Sequence, residues 1–271
     1  PYRYDRIAEV LAGQDQHNIA DSIALMHDVV SIPAQQLQAM LPSSPSPEAA
    51  AAVGMLRTWN GHIDGDSGAA ALFEIVWREI ETRMRDAIVP PRARSLVTSL
   101  SPSVMLGFLS QPDARFGDDP VAARDALFND ALISGWAKAT RLMGADPAAW
   151  RWATLHRVRI QHPLSAIPAI ARAFPPIVGE GSGGDAYTPM ARWVSAAGWR
   201  ATGGASYLMV CDVGKWDNSV MLSLPGQSAQ PASPHYRDFY KPWIAAEMQP
   251  LLFDRRSIDA AATARTVLTP A

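Results

Sequence analysis

The stretch Gly204–Trp243, GASYLMVCDVGKWDNSVMLSLPGQSAQPASPHYRDFYKPW, decides how the rest of the chain is read. Within it, Ser206–Asp212 (SYLMVCD) and Ser219–Leu224 (SVMLSL) are short apolar runs rich in β-forming residues. Gly214-Lys215-Trp216-Asp217-Asn218 lies between them and gathers turn formers, so the pattern predicts two strands joined as a hairpin. Pro225-Gly226-Gln227-Ser228 and Ser233-Pro234-His235-Tyr236 with Asp238 then read as a polar loop. Upstream the spacing is helical, and the order predicts an α+β fold: a helical first two-thirds, then β-strands and a terminal helix.

Outward from the hairpin, strand-like sequence extends back with breaks to about Tyr187, and a final helix is predicted over Ser257–Arg265. Residues 163–186, with Pro163, Pro168, Pro175, Pro176, Gly179, Gly181, Gly183 and Gly184, read as a long surface loop. Before them Val121–Met143 has an amphipathic helical period, with Leu127, Ala131 and Trp136 on its apolar side. Ser67 is placed to cap a long apolar helix through Ile75, Val76, Ile80 and Met84. Shorter helices are predicted over Tyr2–Gly13, Ile19–Val30, Ala34–Leu41 and Glu48–Trp59, with a Pro/Ser break at Pro42–Pro47. This divides the chain into a mainly helical region, 1–165, and a loop-plus-strand region, 166–271, as parts of one structural domain.

The 271 residues are 48% hydrophobic and 18% charged, enough apolar matter for a sizeable core. A net charge of −2, with scattered basic residues, gives no electrostatic footprint for nucleic acid. No apolar run reaches the ~20 residues of a membrane helix. Cys211 is the single cysteine, which excludes an intrachain disulfide and Cys-rich metal sites; its neighbours predict a small buried strand residue. Pro1-Tyr2-Arg3 reads as the interior of a longer, processed sequence.

No motif forms a self-sufficient active site. Gly226-Gln227-Ser228-Ala229-Gln230 lacks the last glycine and the helix of a nucleophile elbow. Gly179–Gly184 follows a Pro-Pro loop and opens no helix, unlike a phosphate loop. Asp64-Gly65-Asp66 suggests a calcium loop, but Ile75 stands where an EF-hand requires its bidentate Glu. His156 and His162 lack an acidic partner at metal spacing, which favours packing or hydrogen-bonding roles. His235 and Asp238 have the spacing of a general base with its orienting acid.

The wording of the chain nevertheless resembles the penicillin acylase (penicillin amidase) family of N-terminal-nucleophile hydrolases, which includes acyl-homoserine lactone acylases. The residues that carry the resemblance are Tyr2-Arg3 with Arg6-Ile7, Trp59-Asn60-Gly61, Ser67 with Ala69-Ala70 and Trp77, and Trp150 with Trp152 and His156. His162-Pro163-Leu164, Gly183-Gly184-Asp185 with Tyr187-Thr188, Gly204-Ala205-Ser206-Tyr207 with Asp212, and Trp216-Asp217 with Ser219 continue it. Gly226-Gln227-Ser228, and Ser233-Pro234-His235-Tyr236 with Asp238 and Trp243, complete it. Asn60 and Ala229 depart from the family's frequent Asp and Gly.

The resemblance implies the C-terminal part of a β chain completing an αββα sandwich. Its activity would be hydrolysis of linear N-acyl amides, acyl-homoserine lactones or β-lactam antibiotics, by a heteromer of chains processed from one precursor. The nucleophilic Ser, the oxyanion Asn and any structural calcium ligands would lie outside this chain, leaving no cofactor-binding or metal-ligating residue within it. Partners would be the α chain, the N-terminal part of β and a small N-acyl amide, and the location periplasmic. One functional residue carries over: Arg6, within Asp5-Arg6-Ile7-Ala8-Glu9, in a supporting catalytic role beside the oxyanion Asn, with Arg3 as its alternative. Two other readings remain, a non-catalytic helical binding module and a self-contained hydrolase using Ser228, His235 and Asp238.

Overall fold

A computed structural model describes residues 2–195 and 198–270. Helices lead: α1 (Tyr2–Ala12), α2 (Ile19–Met26), α3 (Ile32–Ala39), α4 (Ala50–Arg57), α5 (Gly68–Ile88), α6 (Pro102–Ser110), α7 (Pro120–Met143) and the single turn α8 (Trp152–Leu155). Strands β1 (Arg157–Ile160), β2 (Ile177–Gly181), β3 (Arg192–Val194), β4 (Ala201–Gly204), β5 (Tyr207–Val210) and β6 (Val220–Ser223) come next. Then follow α9 (Tyr240–Ala245), the two-residue β7 (Gln249–Pro250) and α10 (Arg255–Ala261). The fold is α+β, helical first, as the hydrophobic periods require.

Side chains that accept from the first turn open five of these helices, satisfying donors that have no partner inside the helix. The hydroxyl of Ser67 accepts from the Ala70 N–H at 3.1 Å, as its position predicts. Asn18 and Asp21 form a reciprocal capping box at α2. Ser31, Ser101 and Asp119 cap α3, α6 and α7, each followed by a proline in the first turn.

Two compact units emerge, both discontinuous in sequence. One comprises residues up to 9, 28–159 and 178–203; the other comprises 10–27, 160–177 and 204 onward. The first is organised on α5, whose residues Ala70–Trp77 are buried without a break. An ordinary surface helix buries one stripe; this one is wrapped, with α7 as its principal partner. Phe73, Ile75, Ile80, Met84, Leu132 and Trp150 are all but inaccessible, each side chain of this kind contributing roughly 1.5–3 kcal/mol of burial. Gly135 on α7 allows the close approach, since a Cβ there would stand 2.5 Å from Val76 Cγ2. A four-stranded sheet of order β2-β1-β4-β3 belongs to the same unit, with β1 and β4 parallel and Val158 opposite Ala201.

The second unit holds the predicted hairpin: β5 and β6 are antiparallel, Tyr207 opposite Ser223 and Leu208 opposite Leu222, and β7 extends the sheet along β6. Its connection is built by Asp212, whose Oδ1 accepts from the Gly214 and Lys215 N–H groups at 2.9 Å each. Asp212 Oδ2 accepts from Asn218 Nδ2 at 3.0 Å.

Three expectations are corrected. Residues 163–186 are not one surface loop, because Ile177–Gly181 is strand β2 beside β1. Gly181 reflects crowding, not looseness: a Cβ there would stand 1.9 Å from the Ala153 carbonyl oxygen. Cys211 is exposed rather than buried, since β5 ends one residue before it. The last helix lies at Arg255–Ala261, earlier than Ser257–Arg265, because Asp217 accepts from the Phe253 and Asp254 N–H groups and from the Ser257 hydroxyl and so fixes its start. Pro1, and Ala196 and Ala197 within the predicted strand-like span, lie outside the described residues.

Candidate functional site

Arg6 projects from the second turn of α1, four-fifths shielded from solvent. Its Nε and Nη2 both donate to Asp28 Oδ2, at 3.0 and 2.7 Å, and its Nη1 meets Glu9 at 3.0 Å. The Asp28 hydrogen bonds push the guanidinium pKa up, against burial, so Arg6 remains a cation. Of its five N–H donors, three have partners among the described residues, leaving one on Nη1 and one on Nη2. Asp28 is itself anchored: Oδ1 accepts from the Val30 N–H at 2.8 Å, and its carbonyl accepts from the Met190 N–H at 2.9 Å. The next residues join an antiparallel bridge, Val30 to His62. Arg3 is exposed and borders a pocket of about 220 Å³ with Tyr2, Ser101 and Tyr187.

A larger cleft of about 650 Å³ opens in the same unit between α5, the segment before α6 and residues 185–195. Its lining includes two buried carboxyls, Glu74 (8% exposed) and Asp185 (4%). Burial pushes both pKa values up, Glu74 well above its usual range, with the neighbouring Asp185 carboxyl adding to the effect. Asp185 has compensation: Oδ1 accepts from the backbone N–H groups of Tyr187 (2.6 Å) and Thr188 (2.7 Å). Glu74 has only the positive charge of Arg78 to lower it, so of the two it is Glu74 that retains a proton. Gly184 makes the turn into Asp185 at φ +78°, a conformation that favours glycine.

In the same unit, His156 is fully buried and stacks on Trp152 at 4.5 Å. Its Nδ1 lies 2.9 Å from the Ser182 carbonyl, which can only accept, so the proton sits on Nδ1. Burial lowers its pKa to about 4, so it is neutral at ordinary pH. Arg192 donates to the Ser182 hydroxyl. Arg78 lies over the Trp199 ring, 4.0 Å from its centroid.

In the other unit, His235 Nδ1 and Asp238 Oδ2 are paired at 2.8 Å, as their spacing suggests. Ser228 does not complete a triad with them. Its hydroxyl accepts from the Gln230 N–H at 3.1 Å, and its backbone N–H donates to the His235 carbonyl at 3.1 Å. His162 is a packing residue: Nδ1 accepts from the Leu164 N–H, Nε2 donates to the Ala229 carbonyl, and the ring lies 4.6 Å from that of Phe174. Among the described residues no group of three or more His, Cys, Asp or Glu could hold a metal ion, and no helix is long and apolar enough to cross a membrane.

Sequence reasoning singled out Arg6 and did not single out its partner Asp28 or the buried Glu74. Asp28, between two helices, carries no local signal. Glu74 did leave one: an acid inside the uninterrupted apolar run Leu72-Phe73-Glu74-Ile75-Val76-Trp77 must be buried and compensated.

The sequence model of penicillin amidase matches residues 1–260. The chain is 32% identical over 283 residues to penicillin acylase 2 proenzyme of Pseudomonas sp. (strain SE83), an alignment covering 100% of this chain and 36% of that protein. It is 26% identical over 294 residues to the acyl-homoserine lactone acylase QuiP of Pseudomonas putida, covering 96% of this chain and 35% of the relative. It thus spans about a third of the length of these relatives. A thermostable penicillin G acylase from Alcaligenes faecalis has the same fold, with a TM-score of 0.59 at 17% identity, covering 99% of this chain and 52% of that one.

Proposed function

This chain belongs to the penicillin amidase family, and from that premise we propose that it forms part of an amidohydrolase cleaving linear N-acyl amides through an N-terminal Ser carried by sequence outside it. The Ser hydroxyl oxygen attacks the acyl carbon while the α-amine of the same residue accepts its proton. That proton passes to the leaving nitrogen as the C–N bond breaks; water then attacks the acyl-enzyme, restoring the Ser and releasing the acid. Arg6 is the residue of this chain that supports the reaction. The oxyanion Asn, most of the acyl pocket and any calcium ligands lie outside the chain, on the α chain or the N-terminal part of β, and the assembled enzyme is periplasmic. Acyl-homoserine lactones and penicillins are the substrate classes favoured by the relatives' names.

The observation that carries the reading is the state of Arg6: a cation held by Asp28 and Glu9, with two N–H donors left to direct elsewhere. Two carboxylates beside one guanidinium offset its positive charge. Its contribution is therefore oriented donation to the oxyanion Asn, more than a field that depresses the α-amine pKa.

The test is hydrolysis of an acyl-homoserine lactone and of a penicillin by the full-length processed protein and by Arg6→Ala. Loss of a preorganised donor should lower turnover by roughly 10²–10³-fold with assembly intact. Full turnover in Arg6→Ala, or failure to cleave either substrate class, would overturn the proposal.

A further inference from the structure

The geometry points to Asp28 as a positioning residue that aims the Arg6 guanidinium; the inference rests on the supporting role proposed for Arg6. Arginine has four side-chain torsions, and a guanidinium without a fixed partner samples many orientations. Here one edge of the fork, Nε and Nη2, is engaged by a single oxygen, Asp28 Oδ2. Side-on engagement, with one Nη1 hydrogen turned to Glu9, leaves the second Nη1 hydrogen and the other Nη2 hydrogen to reach another group.

Asp28 can serve as a fixed point because three constraints act on it from outside α1. Its second oxygen is committed to the Val30 N–H, its carbonyl receives the Met190 N–H, and the Val29 carbonyl receives the Ile63 N–H at 2.8 Å. The carboxylate therefore belongs to the backbone framework around residues 28–30, 63 and 190, not to the helix that carries Arg6. Its side chain is only 14% exposed, so water competes poorly for the pair. Glu9 differs in each respect. It rides on α1 with Arg6, makes a single contact at 3.0 Å and is 64% exposed, the setting in which ion pairs contribute little.

Asp28 is not a catalytic residue in this account; it touches Arg6. Its removal should appear in turnover and not in substrate affinity, and only while Arg6 is present. Asp28→Asn is the informative variant, because the amide oxygen can keep the Val30 hydrogen bond while the charge and the Oδ2 acceptor are lost.

The experiment is a double-mutant cycle in the full-length processed enzyme, with Arg6→Ala, Asp28→Asn and the pair, reading kcat and KM for an acyl-homoserine lactone. Asp28→Asn should lower kcat about 10- to 100-fold with KM little changed, the scale of a misplaced catalytic group. In the Arg6→Ala background the same change should have no further effect, Asp28→Glu should recover part of kcat, and Glu9→Gln should cost far less kcat than Asp28→Asn. Equal losses from Asp28→Asn in both backgrounds, or none in either, would overturn the positioning role while leaving Arg6 in place. If Arg6→Ala leaves kcat intact, the proposed role of Arg6 fails, and this inference with it.

Discussion

The carboxyls of Glu74 on α5 and Asp185 after β2 are neighbours in the lining of one cleft, and only Asp185 is met by backbone N–H donors. Two like charges excluded from water cannot both be ionised cheaply, so the native state keeps a proton that the unfolded chain releases.

Glu74 therefore opposes folding as pH rises. Its native pKa is raised above the ordinary 4.5, so stability should fall as pH climbs from about 4.5 toward the raised value and level off beyond it. Glu74→Gln keeps the shape, can donate an amide N–H to Asp185 and cannot ionise. It should flatten that decline and raise the unfolding temperature at neutral pH, with less effect at pH 4. Thermal unfolding of the full-length protein across pH reads the difference; an unchanged profile would argue against a proton retained on Glu74.

His156 acts with the opposite sign. Its native pKa is depressed from 6.5 to about 4, so the unfolded chain takes up a proton that the native state refuses. Stability should drop as pH falls from about 6.5 to about 4, by at most about 3 kcal/mol. Glu74 opposes this slope above about pH 4.5, so the acid slope should steepen in Glu74→Gln and weaken strongly in the Glu74→Gln/His156→Gln pair. Chemical denaturation at pH 4.5, 5.5 and 6.5 measures both slopes.

Gly135 sets the distance between α7 and α5. Gly135→Ala gains about 1 kcal/mol of helix propensity but drives a methyl into Val76, with Cγ2 at 2.5 Å and Cα at 3.3 Å. Overpacking of this kind costs roughly 1–3 kcal/mol, so the net effect should be destabilising, seen as a lower denaturation midpoint. A more stable Gly135→Ala would mean that the two helices separate easily.

Ser228 should be dispensable for hydrolysis. Its hydroxyl accepts a turn hydrogen bond from the Gln230 N–H, and its contact with His235 is from its own N–H to the backbone carbonyl, not to the ring. Ser228→Ala should retain turnover. Abolished hydrolysis with an unchanged unfolding temperature would revive the self-contained hydrolase reading.

The elements themselves were largely legible. Ser67 before an apolar helix, the hairpin around Gly214–Asn218 and the α7 period each rest on interactions between residues a few positions apart, which a sequence displays directly. Where long-range contacts decided, the reading failed. β2 hid among prolines and glycines because its strand state comes from its neighbour β1 and its glycine from the crowding at Ala153.

By itself the sequence determined the α+β order, the apolar faces, the family to which its motifs point and the candidacy of Arg6. Only the tertiary structure decided what Arg6 is paired with, which carboxyl retains a proton and that Ser228 stands apart from the His235–Asp238 pair. Arg6 and Asp28 are 22 positions apart, and Glu74 and Asp185 far more. Local spacing specifies helices and strands through backbone geometry, but the field at a titratable group depends on which groups packing brings within a few ångströms and on how much water it removes.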